Sequence, residues 1–271
     1  MDRLISSSKI RFYTDAYQST ANPLDMFREI KRKNIRLEKQ GNTRVVSNLS
    51  EGLESGTRLD VGNWLKSASS VYDISPNLKD YVMKPVIILP SELPNRNGVG
   101  FPIQELIRFN PEAGMCAYKT FKGKPLHYEH ANTNIRKAKG VIFDTFIRKL
   151  DGFGNGRLWK VVSLLAWDRQ KDKELAERVL SNDMNTFSMG AWIDKYTCSV
   201  CGKDIGQCSH LDARSPVNFK LTFDGQLAFC EVFNPVGFET SAVESPAYLI
   251  ALSDEGRVLS TDPELRTSYS K

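Results

Sequence analysis

Apolar and polar positions along the chain change texture near residue 81. Residues 1–80 are polar and only weakly periodic. Within them Phe27 and Ile30 stand three apart just after Pro23, which predicts a helix start. Residues 41–56 are rich in Gly, Asn and Ser and read as loop. The stretch is expected to be an N-terminal extension, a scaffold-docking or inhibitory pro-segment. From residue 81 onward, short runs of β-branched and aromatic residues recur between Gly, Pro and Asp. Those at 81–89, 114–121, 140–147 and 158–167 predict strands. Between 168 and 181 the period turns helical: Leu175, Ala176, Val179 and Leu180 form one apolar stripe, with Asp168 as the expected N-cap. Strands return at 186–196, 226–233 and 238–243. A short helix is expected after Pro246, and residues 254–271 form a polar tail. Many short strands with one or two helices predict a mainly β, α+β chain built as a compact antiparallel β-barrel or sandwich.

Composition narrows this only modestly. The 271 residues are 41% apolar and 25% charged, ordinary for a globular protein and enough for one large domain with extensions. No apolar run reaches the roughly 18–20 residues of a membrane span; the longest, 82–90, is interrupted by Lys84 and Pro85. The first residues lack the apolar core of a secretory signal, so synthesis in the cytosol is expected. The net charge of +5 arises from 37 basic and 32 acidic residues and does not point to nucleic acid. Its densest basic run, Arg28, Lys31, Arg32, Lys33 and Arg36, reads as a solvated helix face that could also dock an acidic partner.

Three groups of residues carry candidate chemistry. In Thr186-Phe187-Ser188-Met189-Gly190-Ala191-Trp192 a small hydroxyl sits inside an apolar strand that follows a helix. Alternation places Ser188, Gly190 and Trp192 on one face, and Gly190 leaves room for a substrate backbone. A serine becomes nucleophilic only beside a base. The chain has three histidines, and His127 and His130 lie upstream of Ser188. Were 126–130 extended, His130 would share a face with Leu126 and Tyr128 and His127 would point away, leaving one of them for a site. The third group is Cys198-x2-Cys201-Gly202-x5-Cys208-x-His210, while Cys116 and Cys230 stand apart. A disulfide framework would spread its cysteines; clustering suits a tetrahedral Zn²⁺, with Gly202 easing the turn. Four protein ligands leave no open position, so such a zinc is structural.

Three windows in order resemble the prohead (capsid maturation) serine proteases of tailed phages, distant relatives of the herpesvirus assemblins. They are Pro125 to His130 followed by Gly140-Val141-Ile142, the helical pattern leading into Phe187-Ser188-Met189-Gly190, and Glu239-x-Ser241-x-Val243-x-x-Pro246-Ala247. The resemblance covers residues 81–253, with the cysteine cluster at about 197–212 as a zinc-knuckle insertion. It implies an assemblin-like barrel, Ser188 as nucleophile, His130 as base, and Glu239 as third member with Glu244 the fallback. It also implies cleavage of phage scaffold, of capsid-protein propeptides and of the chain itself, in the host cytoplasm inside the procapsid. The polar segments at both ends are the expected self-cleavage regions. A homo-oligomer is compatible with this picture; neither a membrane nor a specific nucleic acid is expected as partner. The alternative is a non-catalytic zinc-knuckle protein, structural or nucleic-acid-associated, against which Lys203 is the only basic residue between Cys198 and His210.

Overall fold

The computed structural model describes residues 10–13, 61–149, 158–212, 219–222, 225–248 and 251. The helix start near Pro23, the basic run at 28–36, the loop at 41–56 and the polar tail lie outside the described residues. The chain is mainly β with a few helices, as expected. A seven-stranded sheet runs in the order β1 (Ile10–Tyr13), β9 (Phe187–Ile193), β13 (Val236–Ala242), β6 (Pro125–Tyr128), β7 (Gly140–Lys149), β8 (Trp159–Asp168), β2 (Tyr81–Pro90). All its neighbours are antiparallel except β13 and β6, which run parallel. Bulges in β2 (between Ile87 and Leu89), β7 (between Ile142 and Asp144) and β13 (between Gly237 and Glu239) insert unpaired residues. Such residues bend a sheet and increase its twist. The sheet curls into a half-barrel, and β2 approaches β9 across its concave side.

The concave face holds the main core. Phe187, Met189, Ala191 and Ile193, one face of β9, are fully buried with Ile88, Leu126, Ile142, Leu165 and Trp167. A second core lies against α1 (Val61–Tyr72), where Leu65, Ala68 and Val71 pack with Tyr81, Val141 and Ala166. The packed unit therefore reaches back to residue 61, into the stretch read from sequence as an extension.

Several local expectations are corrected. The 114–121 strand is only β5 (Met115–Cys116), paired with β4 (Phe109–Asn110), and then a 3-10 helix Ala117–Phe121. The N-cap of α3 (Lys173–Ser181) is Asp172, whose carboxylate accepts from the Leu175 N–H at 3.0 Å. Asp168 instead ends β8, and its buried carboxylate accepts from the Ser75 and Gln170 amides. Of the apolar stripe, Leu175, Ala176 and Val179 are buried, but Leu180 is exposed. After Pro246 the described residues Ala247 and Tyr248 are bends and Ala251 belongs to no element.

Strand β9 passes through Asp194 into β10 (Lys195–Cys198), which leaves the curled sheet for a smaller one. There β12 (Leu227–Phe233) pairs antiparallel with β10 and β11 (Phe219–Leu221) and parallel with β3 (Val99–Gly100). A short helix α2 (Ile103–Ile107) and further 3-10 helices at Leu78–Asp80, Ile135–Lys137 and Ile205–Gln207 complete the described elements. Because β12 continues into β13, one long ribbon, β9–β10 against β12–β13, spans both sheets. No helix among the described residues is long and apolar enough to cross a membrane.

Candidate active site and metal centre

Ser188 and Ser241 face each other across the β9–β13 ladder, and Gly190 faces Glu239. Paired residues share a face, so Ser188, Gly190, Glu239 and Ser241 lie together on the side away from the main core. The bulge is what brings Glu239 there. Gly237 pairs with Ala191 and Glu239 with Gly190, leaving Phe238 as the extra residue. Without that insertion Glu239 would pair with Met189 and point into the core.

The chain reaches this face a second time through the turn after β6. Glu129 and His130 have φ of 47° and 52°, and the Ala131 N–H donates to the Tyr128 carbonyl at 3.0 Å. Two consecutive positive φ values closed by that bond make a primed turn, a conformation costly for residues other than glycine. Its neighbours hold it: the Glu129 N–H donates to the Ala242 carbonyl, and the Glu129 carboxylate accepts from the Glu244 N–H at 2.7 Å. The condition under which the two histidines would part is not met, because the strand ends at Tyr128 and His130 swings over the face by way of the turn. His127 pairs in register with Ser241 and so lies on that same face, not opposite to it; it is buried.

The result is one continuous relay. Ser188 Oγ lies 2.9 Å from His130 Nε2, and His130 Nδ1 lies 2.5 Å from Glu239 Oε1. The Ser241 hydroxyl donates to Glu239 Oε2 at 2.6 Å. Glu239 fixes the tautomer: Nδ1–H donates to the carboxylate, which leaves Nε2 to accept from the serine hydroxyl. Burial by itself would raise the Glu239 carboxyl. The charge and hydrogen bond of His130, then the charge of His127 and the Ser241 hydroxyl, outweigh it and hold Glu239 below the usual carboxylate range. Glu239 is thus ionised and aimed at the imidazole. Such a group can take a serine proton and stabilise the imidazolium that forms.

Glu244, the fallback, is turned away. Its carboxylate accepts from Tyr128 and Arg178 at the surface, and it is more than half exposed. Sequence reading did not assign a role to Ser241, although its i+2 spacing from Glu239 was a signal that the two share a face. Gly190 is needed for a different reason than expected. A Cβ there would lie 2.4 Å from the Phe238 ring and 2.8 Å from Glu239 Oε1, so its absence makes room for that ring and for the carboxylate.

At the far end of the ribbon, Cys198, Cys201, Cys208 and His210 offer ligand atoms that all lie within 4.8 Å of one another. Cys198 ends β10, and the Gly202 N–H donates back to its carbonyl at 2.8 Å, with Gly202 at φ 66° as its place in the turn requires. A tetrahedral zinc with bonds of about 2.3 Å to sulfur and about 2.0–2.1 Å to nitrogen puts sulfurs about 3.8 Å apart and sulfur and nitrogen about 3.5 Å apart. Here Cys201 and Cys208 are 3.6 Å apart, and His210 Nδ1 is 3.7 Å from Cys198 and 3.6 Å from Cys208. The donors fit a closed tetrahedral site. Burial opposes the Cys208 thiolate, but the His210 N–H and the neighbouring thiols bring that thiol down to about 7. All five thiols are free. Cys230, which the sequence left apart, lies opposite Cys198 in the β10–β12 ladder. Burial, with the Cys198 and Cys208 charges, pushes its thiol up to about 12.

No protein-family profile, curated protein or solved structure matches the chain.

Proposed function

We propose that the chain is a serine endopeptidase of the prohead maturation type, with Ser188 as nucleophile, His130 as general base and Glu239 as the residue that orients it. The observation that carries this reading is the unbroken Ser188–His130–Glu239 relay on one sheet face. Structural serines and histidines seldom meet in this order, with an ionised carboxylate behind the ring. Ser188 Oγ attacks a scissile peptide carbonyl while His130 Nε2 takes its proton. His130 returns that proton to the departing amine, and water, deprotonated in turn by His130, releases the acyl group from Ser188. The windows that carry the resemblance also carry the relay, which supports scaffold, capsid-protein propeptides and the chain itself as substrates, inside the procapsid of an infected host's cytoplasm. An assemblin-like barrel is part of the same proposal.

The Cys198, Cys201, Cys208 and His210 site is proposed to hold a structural Zn²⁺. When bound, the ion cross-links the β10 end to the loop that follows and takes no part in the peptide chemistry.

The test is cleavage. Purified wild-type chain is expected to process itself and the scaffold protein assembled with it, by gel and intact mass, and Ser188→Ala to do neither. A Ser188→Ala chain that still cleaves contradicts the reading.

A further inference from the structure

Glu239 has to keep one carboxylate oxygen on the His130 ring, and its own side chain does not fix that. The backbone of β13 sets where its Cα lies, but the last torsion of a glutamate has no sharp preference. The plane of the carboxylate is therefore set by what its two oxygens meet. Oε1 meets His130 Nδ1 at 2.5 Å, and Oε2 accepts from the Ser241 hydroxyl at 2.6 Å. Ser241 is itself held from both sides. It pairs with Ser188 on β9 and with His127 on β6, so Ser188, Ser241 and His127 form one row across three adjacent strands. Neither serine has exposed surface, and Glu239 is buried beside them. Next to that row, the missing Cβ of Gly190 leaves room for Oε1. The hydroxyl that holds Oε2 is thus placed by paired backbone on each side, which the glutamate side chain alone is not.

We propose that Ser241 is a positioning residue of this site: its hydroxyl pins Oε2 of Glu239 so that Oε1 stays on the imidazole. The proposal rests on the serine protease reading and adds a residue that acts through Glu239, without touching the substrate. Ser241 keeps its own proton throughout. A donor on Oε2 also stabilises the ionised carboxylate. The proton taken from Ser188 therefore stays on His130, where it is available to the departing amine. A buried carboxylate oxygen that loses its donor has to turn toward another one or take up a proton itself. Either change weakens the hold of Glu239 on Nδ1–H.

The experiment compares full-length wild type, Ser241→Ala, Glu239→Gln and the double variant, each checked for folding by its thermal melt. A small fluorophosphonate is the probe: Ser188 Oγ bonds to phosphorus, fluoride leaves, and His130 takes the serine proton. Labelling of Ser188 is resolved into a saturating rate and a half-saturating concentration. Ser241→Ala is expected to lower the saturating rate by about tenfold to a hundredfold, the range for one hydrogen bond to a charged group. The half-saturating concentration is expected to stay unchanged, because the lost contact serves the chemical step and not the binding of the probe. In the Glu239→Gln background the same substitution is expected to change the saturating rate by less than about threefold, because the charge it serves is gone. Should Ser241→Ala not fold, Ser241→Cys, which keeps the shape and weakens the donor, takes its place in the same cycle. An unchanged saturating rate in the single variant, or an equal loss in both backgrounds, gives Ser241 a place in the packing only. That overturns the assignment and leaves the protease reading standing. No labelling of Ser188 in wild type overturns both.

Discussion

Glu239 reaches His130 because β13 carries one residue too many at Phe238. Alternation along a strand, the rule that correctly put Ser188 and Gly190 together, would have sent Glu239 into the core, so only the resemblance to prohead proteases pointed at it. The rule does not reach His130 at all: alternation applies only to an extended frame, while Glu129 and His130 adopt left-handed turn geometry that nothing in a non-glycine pair announces. The shared face of Ser188 and Gly190 was legible from local sequence, while the role of Ser188 came from the resemblance; the placement of His130 and Glu239 depends on a turn and a bulge, both held by contacts far along the chain. The residue-scale consequence concerns Glu239→Gln, which keeps the shape and loses the charge. The amide no longer enforces the Nδ1–H tautomer, and kcat is expected to fall by roughly a thousand- to ten-thousand-fold with KM little changed. A loss below about tenfold in steady-state peptide hydrolysis would mean that Glu239 does not orient the base.

Among the elements, β2, β7 and β8 were readable from their β-branched and aromatic runs, and α3 from helical spacing, because Leu175, Ala176 and Val179 bury one face of it. Elements whose composition points to another class were not. The 3-10 helix at Ala117–Phe121 carries strand-like residues, and its ends are set by packing against β13 and β7. The cysteine cluster was legible because ligand spacing is local, but its place in the architecture was not. It closes the far end of the ribbon whose near end holds Ser188 and Glu239. Loss of one ligand should therefore be felt as loss of stability before loss of chemistry. The purified chain is expected to hold one zinc per molecule by elemental analysis. Cys201→Ser, or chelator, is expected to lower Tm; even about 2 kcal/mol of lost metal stabilisation corresponds to roughly 4–8 °C in a domain of this size. An unchanged Tm on complete chelation would remove the metal from the fold.

At the scale of the molecule, the mainly β class, built as a barrel or a sandwich, was legible from the density of short strands, whereas the origin of the curl was not. It follows from three bulges and from one parallel pair, β13 with β6, that no local pattern encodes. The same non-local logic hid the two short pieces that reach back from the N-terminal stretch, α1 on the second core and β1 on the edge of β9. The folded chain also holds a buried carboxylate below its ordinary value of 4.5. A group whose folded pKa is depressed contributes stability above its unfolded pKa, and that contribution is lost as the pH falls through the folded value. Urea midpoints of wild type are accordingly expected to exceed those of Glu239→Gln at neutral pH, and the difference to shrink once the pH drops below about 4.5. A difference that stays constant from neutral pH to pH 3 would show that Glu239 is not held ionised by its partners.

The most direct measurement is to treat the full-length chain with a fluorophosphonate and locate the adduct by tandem mass spectrometry. A single adduct on Ser188, absent after denaturation and absent in His130→Ala, is the expected result. Labelling at another serine, or labelling of Ser188 that survives loss of His130, would contradict the account.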